Sequence, residues 1–463
     1  MSGLLVLERG ESGYEDARRD AVWNARMPDR RPEAIAIARD ERDVVAAVAL
    51  ARERDWRIGI RSGGHNFVGA SVRDGGLLLD VSRLNAVTVD AATRSATAQP
   101  GVKGEQLLAR LRAEGLAFGV GHCPSVALGG FALGGGMGFN TGAWGYGSQQ
   151  VTAVDVVLAD GRQVRADAHS EPDLFWAARG GGPGFFGVVT RFHLALQRDP
   201  EGLMSSSYAF PLELLEDVAA WLDEITPQLD PCVEPMGWIG RLRGHEIGSA
   251  ATPAGHGRDG AGGDDRVLLL NALVFGATPE LSRAALEPLE QGALNERALA
   301  RTVVDTTFPE LFEFQNLLYR QGLRYAVDCI WTDTPPREQP LGFVREQMRA
   351  APSGRTHALW QLPFGNHRAP MPDMAAGVLG RYFVSFYAVW EHERDDERNI
   401  GWLRETMDGL ESISTGHYAG DVDLLAAPSR AAATLSPAHW TRLQGLRARY
   451  DPDGRFHPHL QPA

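Results

Sequence analysis

Between Gly121 and Gly138 the chain reads Gly-His-Cys-Pro-Ser-Val-Ala-Leu-Gly-Gly-Phe-Ala-Leu-Gly-Gly-Gly-Met-Gly, and no other stretch constrains the backbone so strongly. Glycine reaches positive φ without steric cost, so this density marks sharp turns or a close approach to something else. A solvated linker would carry Ser, Glu or Lys where this stretch and its next residue have Phe131, Leu133, Met137 and Phe139. The loop is therefore expected to pack. Cys123 within it is a thiol held by backbone against whatever the loop cradles, and a cofactor is the expected partner.

The rest of the composition narrows the chemistry. At 463 residues the chain exceeds the reach of one core, so at least two domains are expected. A net charge of −13 argues against a nucleic-acid groove, which needs a basic face. Lys103 is the one lysine and sits in neither a P-loop nor a pyridoxal context, which excludes both chemistries. The arginine bias points to a GC-rich bacterial genome. Cys123, Cys232 and Cys329 are too scattered for a disulfide scaffold or a zinc cage, and the last two read as buried small hydrophobes. His457 and His459 read as non-ligands, so no metal is expected. No run approaches the roughly 20 apolar residues of a membrane span. Glu8, Arg9 and Glu11 end the apolar run that starts at Leu4, so a cytoplasmic product without membrane contact is expected.

Ahead of the glycine stretch, residues 34–38 read as a strand. Asp40 then caps a helix with Val44, Val45, Val48 and Ala49 on its apolar face. A second strand over 57–61 runs into Ser62-Gly63-Gly64-His65-Asn66, an order in which successive backbone N–H groups form an anion-binding nest. Taken alone, Arg61 reads as a surface ion-pair partner and His65 as a satisfied loop histidine. Strands follow over 77–80 and 96–99, then a helix over 104–114 with Leu107, Leu108 and Leu111 on one face, ended by Gly115.

Beyond the stretch, a hairpin turns on Asp160-Gly161 and a helix covers 171–178. Gly182 to Gly187 match GxGxxG, but here a helix precedes the motif and a strand follows it. That is the reverse of a nicotinamide fingerprint, so a Rossmann site is rejected. Residues 200–415 carry strands at 267–271, 359–362 and 382–390, helices at 280–290 and 394–410, and a glycine- and charge-rich loop at 253–266. Strands and helices without βαβ alternation predict an antiparallel sheet covered on one face, and thus an α+β protein. A helix over 440–450 ends at the turn Asp451-Pro452-Asp453-Gly454.

Seven blocks in order carry a family resemblance: Arg61-Ser62-Gly63-Gly64-His65, Gly121-His122-Cys123-Pro124-Ser125-Val126, Gly129-Gly130, Gly134-Gly135-Gly136, Asp173-Leu174-Phe175-Trp176-Ala177, Gly187-Val188-Val189-Thr190 and Tyr450-Asp451-Pro452-Asp453-Gly454-Arg455-Phe456. The sequence resembles the berberine bridge enzyme-like flavin oxidases, within the fold group of vanillyl-alcohol oxidase and p-cresol methylhydroxylase. The likeness is dense over the first 195 residues, good over the last 50 and thin between. It implies an FAD-binding domain over 1–199, a substrate-binding domain over 200–412, and a C-terminal segment, 413–463, that returns to the first.

The resemblance further implies FAD tethered twice, by His65 to the 8α-methyl carbon and by Cys123 to C6. A singly tethered flavin with Cys123 merely adjacent is the alternative. Arg61, Ser62, Gly63, Gly64 and Asn66 would hold the pyrophosphate. Ser71, Gly121, Pro124, Gly129, Gly130, Gly134, Gly135, Gly138 and Val189 would lie along the rest of the cofactor. Val126 falls where the family controls oxygen access, which points to an oxidase using O2. Tyr418 stands where the family often has its base, in a Tyr-x-Asn pattern broken here by Gly420, and its pKa would need lowering from about 10. Trp144 occupies a usual tyrosine position, and Gly142 a usual arginine position. With Tyr450 and Gln361, Trp144 completes the candidate catalytic set. Tyr382, Trp390 and the pair His367-Arg368 could also reach the flavin face. The implied reaction passes hydride from a sugar hemiacetal, a natural-product alcohol or an amine to flavin, with O2 reduced to H2O2.

Overall fold

The structure, a computed structural model, describes residues 3–241, 266–338 and 340–459. The loop expected at 253–266 lies outside the described residues up to its last position, where a strand begins. Two small sheets and one large one, beside a two-stranded pair, organise the described residues.

The first sheet follows the order Leu5–Glu8, Ala34–Ile37, Leu77–Asp80, Ile58–Arg61, with its last three strands parallel. Asp40 caps the helix Glu41–Glu53 as expected, its carboxylate accepting from the Arg42 and Asp43 amides. The buried face is Val44, Ala47, Val48 and Ala51, whereas Ala49 is exposed. The chain end joins this sheet. Ile58 N–H donates to the Arg455 carbonyl at 2.8 Å, and His457 N–H donates to the Ile58 carbonyl at 3.0 Å. The second sheet is antiparallel and includes the hairpin of Val151–Val157 and Gln163–Asp167, with Gly161 at φ +87° in its turn.

Seven antiparallel strands make the third sheet, in the order Ala300–Asp305, Gly202–Pro211, Arg266–Gly276, Val233–Arg241, His357–Gln361, Tyr382–Trp390, Arg324–Thr332. One face is covered by the helices Leu215–Ile225, Pro279–Glu290, Pro340–Ala350 and Asp396–Leu410. Their apolar stripes meet Tyr208, Phe210, Leu268, Leu270, Phe386 and Trp390. Each such side chain contributes roughly 1.5–3 kcal/mol of burial. The opposite face, with Trp238, Leu269, Leu359 and Tyr387, turns toward the glycine loops and packs against Phe67 and Cys123. All three cysteines are free; Cys329 is buried, but Cys232 is only partly so. No described helix is long and apolar enough to cross a membrane, and no described residues form a metal-holding cluster.

Candidate active site

A cleft of about 360 Å³ lies between the glycine loops and the uncovered face of the large sheet, a size suited to a small molecule or cofactor. The loop 62–66 leaves the carboxyl end of a parallel strand, where open sheets place their ligands. Gly64 adopts φ +71°, and a Cβ there would collide with the Ala21 carbonyl. A Cβ on Gly63 would stand 2.8 Å from Ala127 Cβ, so glycine is what lets the first loop press on the second. Ser62 Oγ accepts from Gly130 N–H at 3.2 Å and ties the two together.

His65 and Cys123 face the same cleft. The His65 ring stacks on Trp23 at 4.5 Å, and its Nε2 lies 2.7 Å from Ser125 Oγ. Burial, helped by the Lys103 cation, holds its pKa down to about 3, so the imidazole is neutral. Burial, helped by Asp421, pushes the Cys123 thiol up to about 12.

Most of the expected residues line this cleft: Arg61, Ser62, Gly63, Gly64, Asn66, Ser71, Gly121, Val126, Gly129, Gly130, Gly134, Val189, Gln361 and Tyr418. Two have prior engagements. Arg61 Nη1 sits 3.1 and 3.0 Å from the Asp80 oxygens, and its Nη2 donates to the Asp20 carbonyl. Asn66 Oδ1 accepts from Ala70 N–H at 3.0 Å.

Five expected residues fall outside the cleft lining. Pro124 is buried, with its carbonyl accepting from Glu105 N–H. Gly135, at φ +103°, serves a turn beside Ala376. Gly138 packs on the Val120 carbonyl, which leaves no room for a Cβ. Trp144 packs on Phe275 with 6.0 Å between ring centroids. Tyr450 donates to Glu171 at 2.7 Å and stacks on Phe186. These five positions serve backbone turns and packing.

Tyr418 lies in the cleft with its phenol oxygen accepting from Met137 N–H at 3.2 Å. Burial pushes its pKa up, with Asp421 adding to the effect, so the lowering that a tyrosine base requires is absent. Tyr382 and Trp390 face the covering helices. His367 bonds the Gly142 carbonyl at 2.9 Å, and Arg368 bonds the Leu229 carbonyl. A Cβ on Gly142 would stand 2.6 Å from the Pro231 carbonyl, so that position is closed by packing.

Sequence reasoning missed the group best suited to acid–base chemistry. Asp421, three residues after Tyr418, faces the cleft, and its carboxylate accepts from Tyr387 O–H at 2.9 Å. Burial raises its pKa to about 6, against the lowering influence of Tyr387 and His122. His122 in turn lies 3.3 Å from Glu234 on the large sheet. Arg73 and His457 were also missed as cleft residues. Both stand near the joined strands Ile58–Arg61 and the chain end: Arg73 donates to the Pro458 carbonyl at 2.8 Å.

The comparisons with known proteins agree with this geometry. Residues 32–167, which hold both His65 and Cys123, match the family model described as an FAD binding domain. Over 448 residues the chain is 30% identical to an FAD-linked oxidoreductase of Hypoxylon pulicicidum, spanning 96% of this chain and 94% of that one. The chain belongs to the FAD-linked oxidoreductases. The oxidoreductase also shares its fold with solved structures. It aligns with 6-hydroxy-D-nicotine oxidase from Arthrobacter nicotinovorans at a TM-score of 0.81 and 21% identity, covering 99% and 97% of the two chains. Against berberine bridge enzyme from Eschscholzia californica the TM-score is 0.79 at 17% identity, covering 98% and 96%. Its architecture is thus the two-domain berberine bridge enzyme-like fold.

The cleft of this oxidoreductase suits FAD. Two polar atoms of cleft residues, Arg61 Nε and, at the chain end, His457 Nε2, are buried without partners among the described residues, as a bound anionic group would leave them. Arg73 adds a cation there, still charged with its pKa lowered to about 10 by burial and then by Arg30. A Cβ on Gly130 would meet nothing closer than Ser62 Oγ at 3.9 Å, so this backbone lies open to whatever fills the cleft.

Proposed function

We propose that this oxidoreductase is an oxidase in which Asp421 takes the O–H or N–H proton of a substrate as hydride leaves the adjacent C–H. The observation that carries this reading is the position of Asp421: a carboxylate with a pKa near 6, hydrogen-bonded by Tyr387, in the same cleft as His65 and Cys123. A base whose pKa lies close to working pH is both mostly ionised and a competent proton acceptor. Tyr418 stays a phenol and can donate to a substrate oxygen, and Gln361 offers an amide from the sheet side.

When bound, FAD would supply the hydride acceptor, with O2 as the terminal oxidant. His65 and Cys123 are its proposed covalent anchors, with Arg73, His457 and the loop 62–66 holding the diphosphate. Two tethers fix a ring without enclosing it, which leaves room on the sheet side for a large substrate. Val126, in the cleft wall, is the proposed gate for oxygen. Residues 1–199 with 413–463 form the proposed FAD-binding domain, and 200–412 the substrate-binding domain. The substrate class is an alcohol, a sugar hemiacetal or an amine, natural-product intermediates included.

A panel of alcohols, oligosaccharides and amines tests the reaction through H2O2 release in air. Peroxide formed in proportion to substrate supports the oxidase. Flavin bleached anaerobically by a substrate that yields no peroxide in air identifies a dehydrogenase instead. A flavin that no member of the panel bleaches favours a ligand-binding protein.

A further inference from the structure

The two ring nitrogens of His65 stand in different surroundings. Nε2 is 2.7 Å from Ser125 Oγ, whereas Nδ1 has no hydrogen-bond partner among the described residues. The ring plane is fixed by Trp23, stacked at 4.5 Å and 23°. Ser125 belongs to the turn that carries Cys123, closed by Val126 N–H donating to the Cys123 carbonyl at 3.2 Å. That turn is pinned to the preceding helix by Gly104 N–H, which donates to the Val126 carbonyl at 2.9 Å. One rigid turn therefore sets both the thiol and the hydroxyl that grips the histidine.

We propose that Ser125 is a positioning residue for covalent flavin attachment: by engaging Nε2 it holds the orientation of the His65 ring and leaves Nδ1 unpaired, to act as the nucleophile when the proton is on Nε2. This rests on the reading of His65 as a flavin anchor given above. A neutral imidazole carries one N–H and one lone pair, and a hydroxyl on Nε2 pairs with either tautomer, so the tautomer protonated on Nε2 is the reactive one. With Nε2–H donating to Ser125 Oγ, the lone pair resides on Nδ1 at the cleft. The attachment forms an Nδ1–carbon bond and breaks one C–H bond of the 8α methyl. One proton leaves the methyl carbon and one leaves the imidazole, and the two electrons released reduce O2 to H2O2. Once Nδ1 is alkylated, the neutral ring holds its lone pair on Nε2, so the hydrogen bond must reverse direction. A hydroxyl accepts before the reaction and donates after it, so Ser125 serves both states. Alanine serves neither, and threonine serves both.

The full-length chain is compared as wild type, C123A, C123A/S125A, C123A/S125T and H65A/C123A. Each is acid-precipitated and run on a denaturing gel, with flavin fluorescence normalised to protein. Removing Cys123 isolates the histidine bond. We expect C123A and C123A/S125T to keep flavin in the band, C123A/S125A to lose at least tenfold, and H65A/C123A to lose all of it. Native C123A/S125A is also measured for FAD bound without a covalent bond and for melting temperature. Retained non-covalent FAD with an unchanged melt shows that the loss lies in attachment and not in folding. A C123A/S125A band as bright as C123A overturns the role of Ser125 while leaving the anchor intact. A wild-type band without flavin overturns the anchor reading itself. NMR of the flavin peptide from the wild-type protein gives a separate check: bonding at Nδ1 is expected, and bonding at Nε2 overturns the proposal.

Discussion

Replacing Tyr387 by phenylalanine removes one hydroxyl, and the structure gives the sign and size of the consequence. Tyr387 O–H donates to Asp421 Oδ2 at 2.9 Å, a bond that stabilises the carboxylate and not the acid. Hydrogen bonds to charged groups contribute about 1.5–3 kcal/mol, and the lower end of that range sets a minimum for this buried carboxylate. At about 1.4 kcal/mol per pKa unit, Tyr387→Phe raises the Asp421 pKa by about one unit. Asp421 titrates at about 6 in the intact protein, so the variant titrates one unit higher. The acidic limb of kcat/KM, which follows ionisation of the base, moves by the same interval toward alkaline pH. Near pH 6.5 the ionised fraction falls from about three quarters to about one quarter, a roughly threefold loss that disappears by about pH 9. The assay is peroxide release across pH at constant ionic strength with any substrate the panel yields. A limb that stays in place, or moves toward acid, refutes the assignment of Asp421 as the titrating base.

Other substitutions separate cofactor contact from packing. Gly130→Leu places a side chain in open cleft, so FAD content falls at least tenfold with little change in the melting temperature of the flavin-free chain. Gly138→Ala forces a Cβ onto the Val120 carbonyl and costs about 1–3 kcal/mol, read as a lower melting temperature with turnover per bound flavin unchanged. Tyr450→Phe loses one hydrogen bond to Glu171, about 1 kcal/mol of stability, and leaves kcat within about twofold. Acid lowers stability through buried neutral histidines: His65 titrates at about 3 and His357, His457 and His459 at about 4, all below the unfolded value. Their contribution is complete above about pH 6.5 and is lost as pH falls toward 4. Asp421 and Asp328, raised to about 6 and about 7, act in the opposite sense over that window but are fewer. Melting temperatures across pH should therefore fall from 6.5 to 4, and a rise contradicts the burial of these rings.

The sequence made the flavin half legible because its function lies in backbone. Glycines at 63, 64, 129 and 130 mark where loops touch one another or the cleft, and glycine is conspicuous in any sequence. The same signal falls at Gly135 and Gly138, outside the cleft lining, where the crowding comes from the protein's own chain. The large-sheet half was harder to read. The strand Tyr382–Trp390 is buried on both faces, so nothing in its composition tells which alternate residues meet helices and which meet the cleft. Tyr382 and Trp390 proved to lie on the helix side, and Phe383 and Tyr387 on the cleft side. Asp421 escaped notice for a different reason. Its raised pKa comes from burial in the folded cleft, and its partner Tyr387 lies 34 positions away, so no local pattern reports either. The strands Gly202–Pro211, Val233–Arg241, Ala300–Asp305 and Arg324–Thr332 were missed, and Ser, Gly, Arg and Asp within them dilute the apolar signal.

Asp421 is the group proposed to take the substrate proton while hydride departs. The most direct test is anaerobic stopped-flow mixing of wild-type and Asp421→Asn enzyme with saturating substrate, following loss of flavin absorbance. Asparagine keeps the shape and can still accept from Tyr387 but cannot take a proton. The account predicts flavin reduction slowed at least about a hundredfold, with FAD content and substrate binding retained. Reduction at the wild-type rate contradicts it.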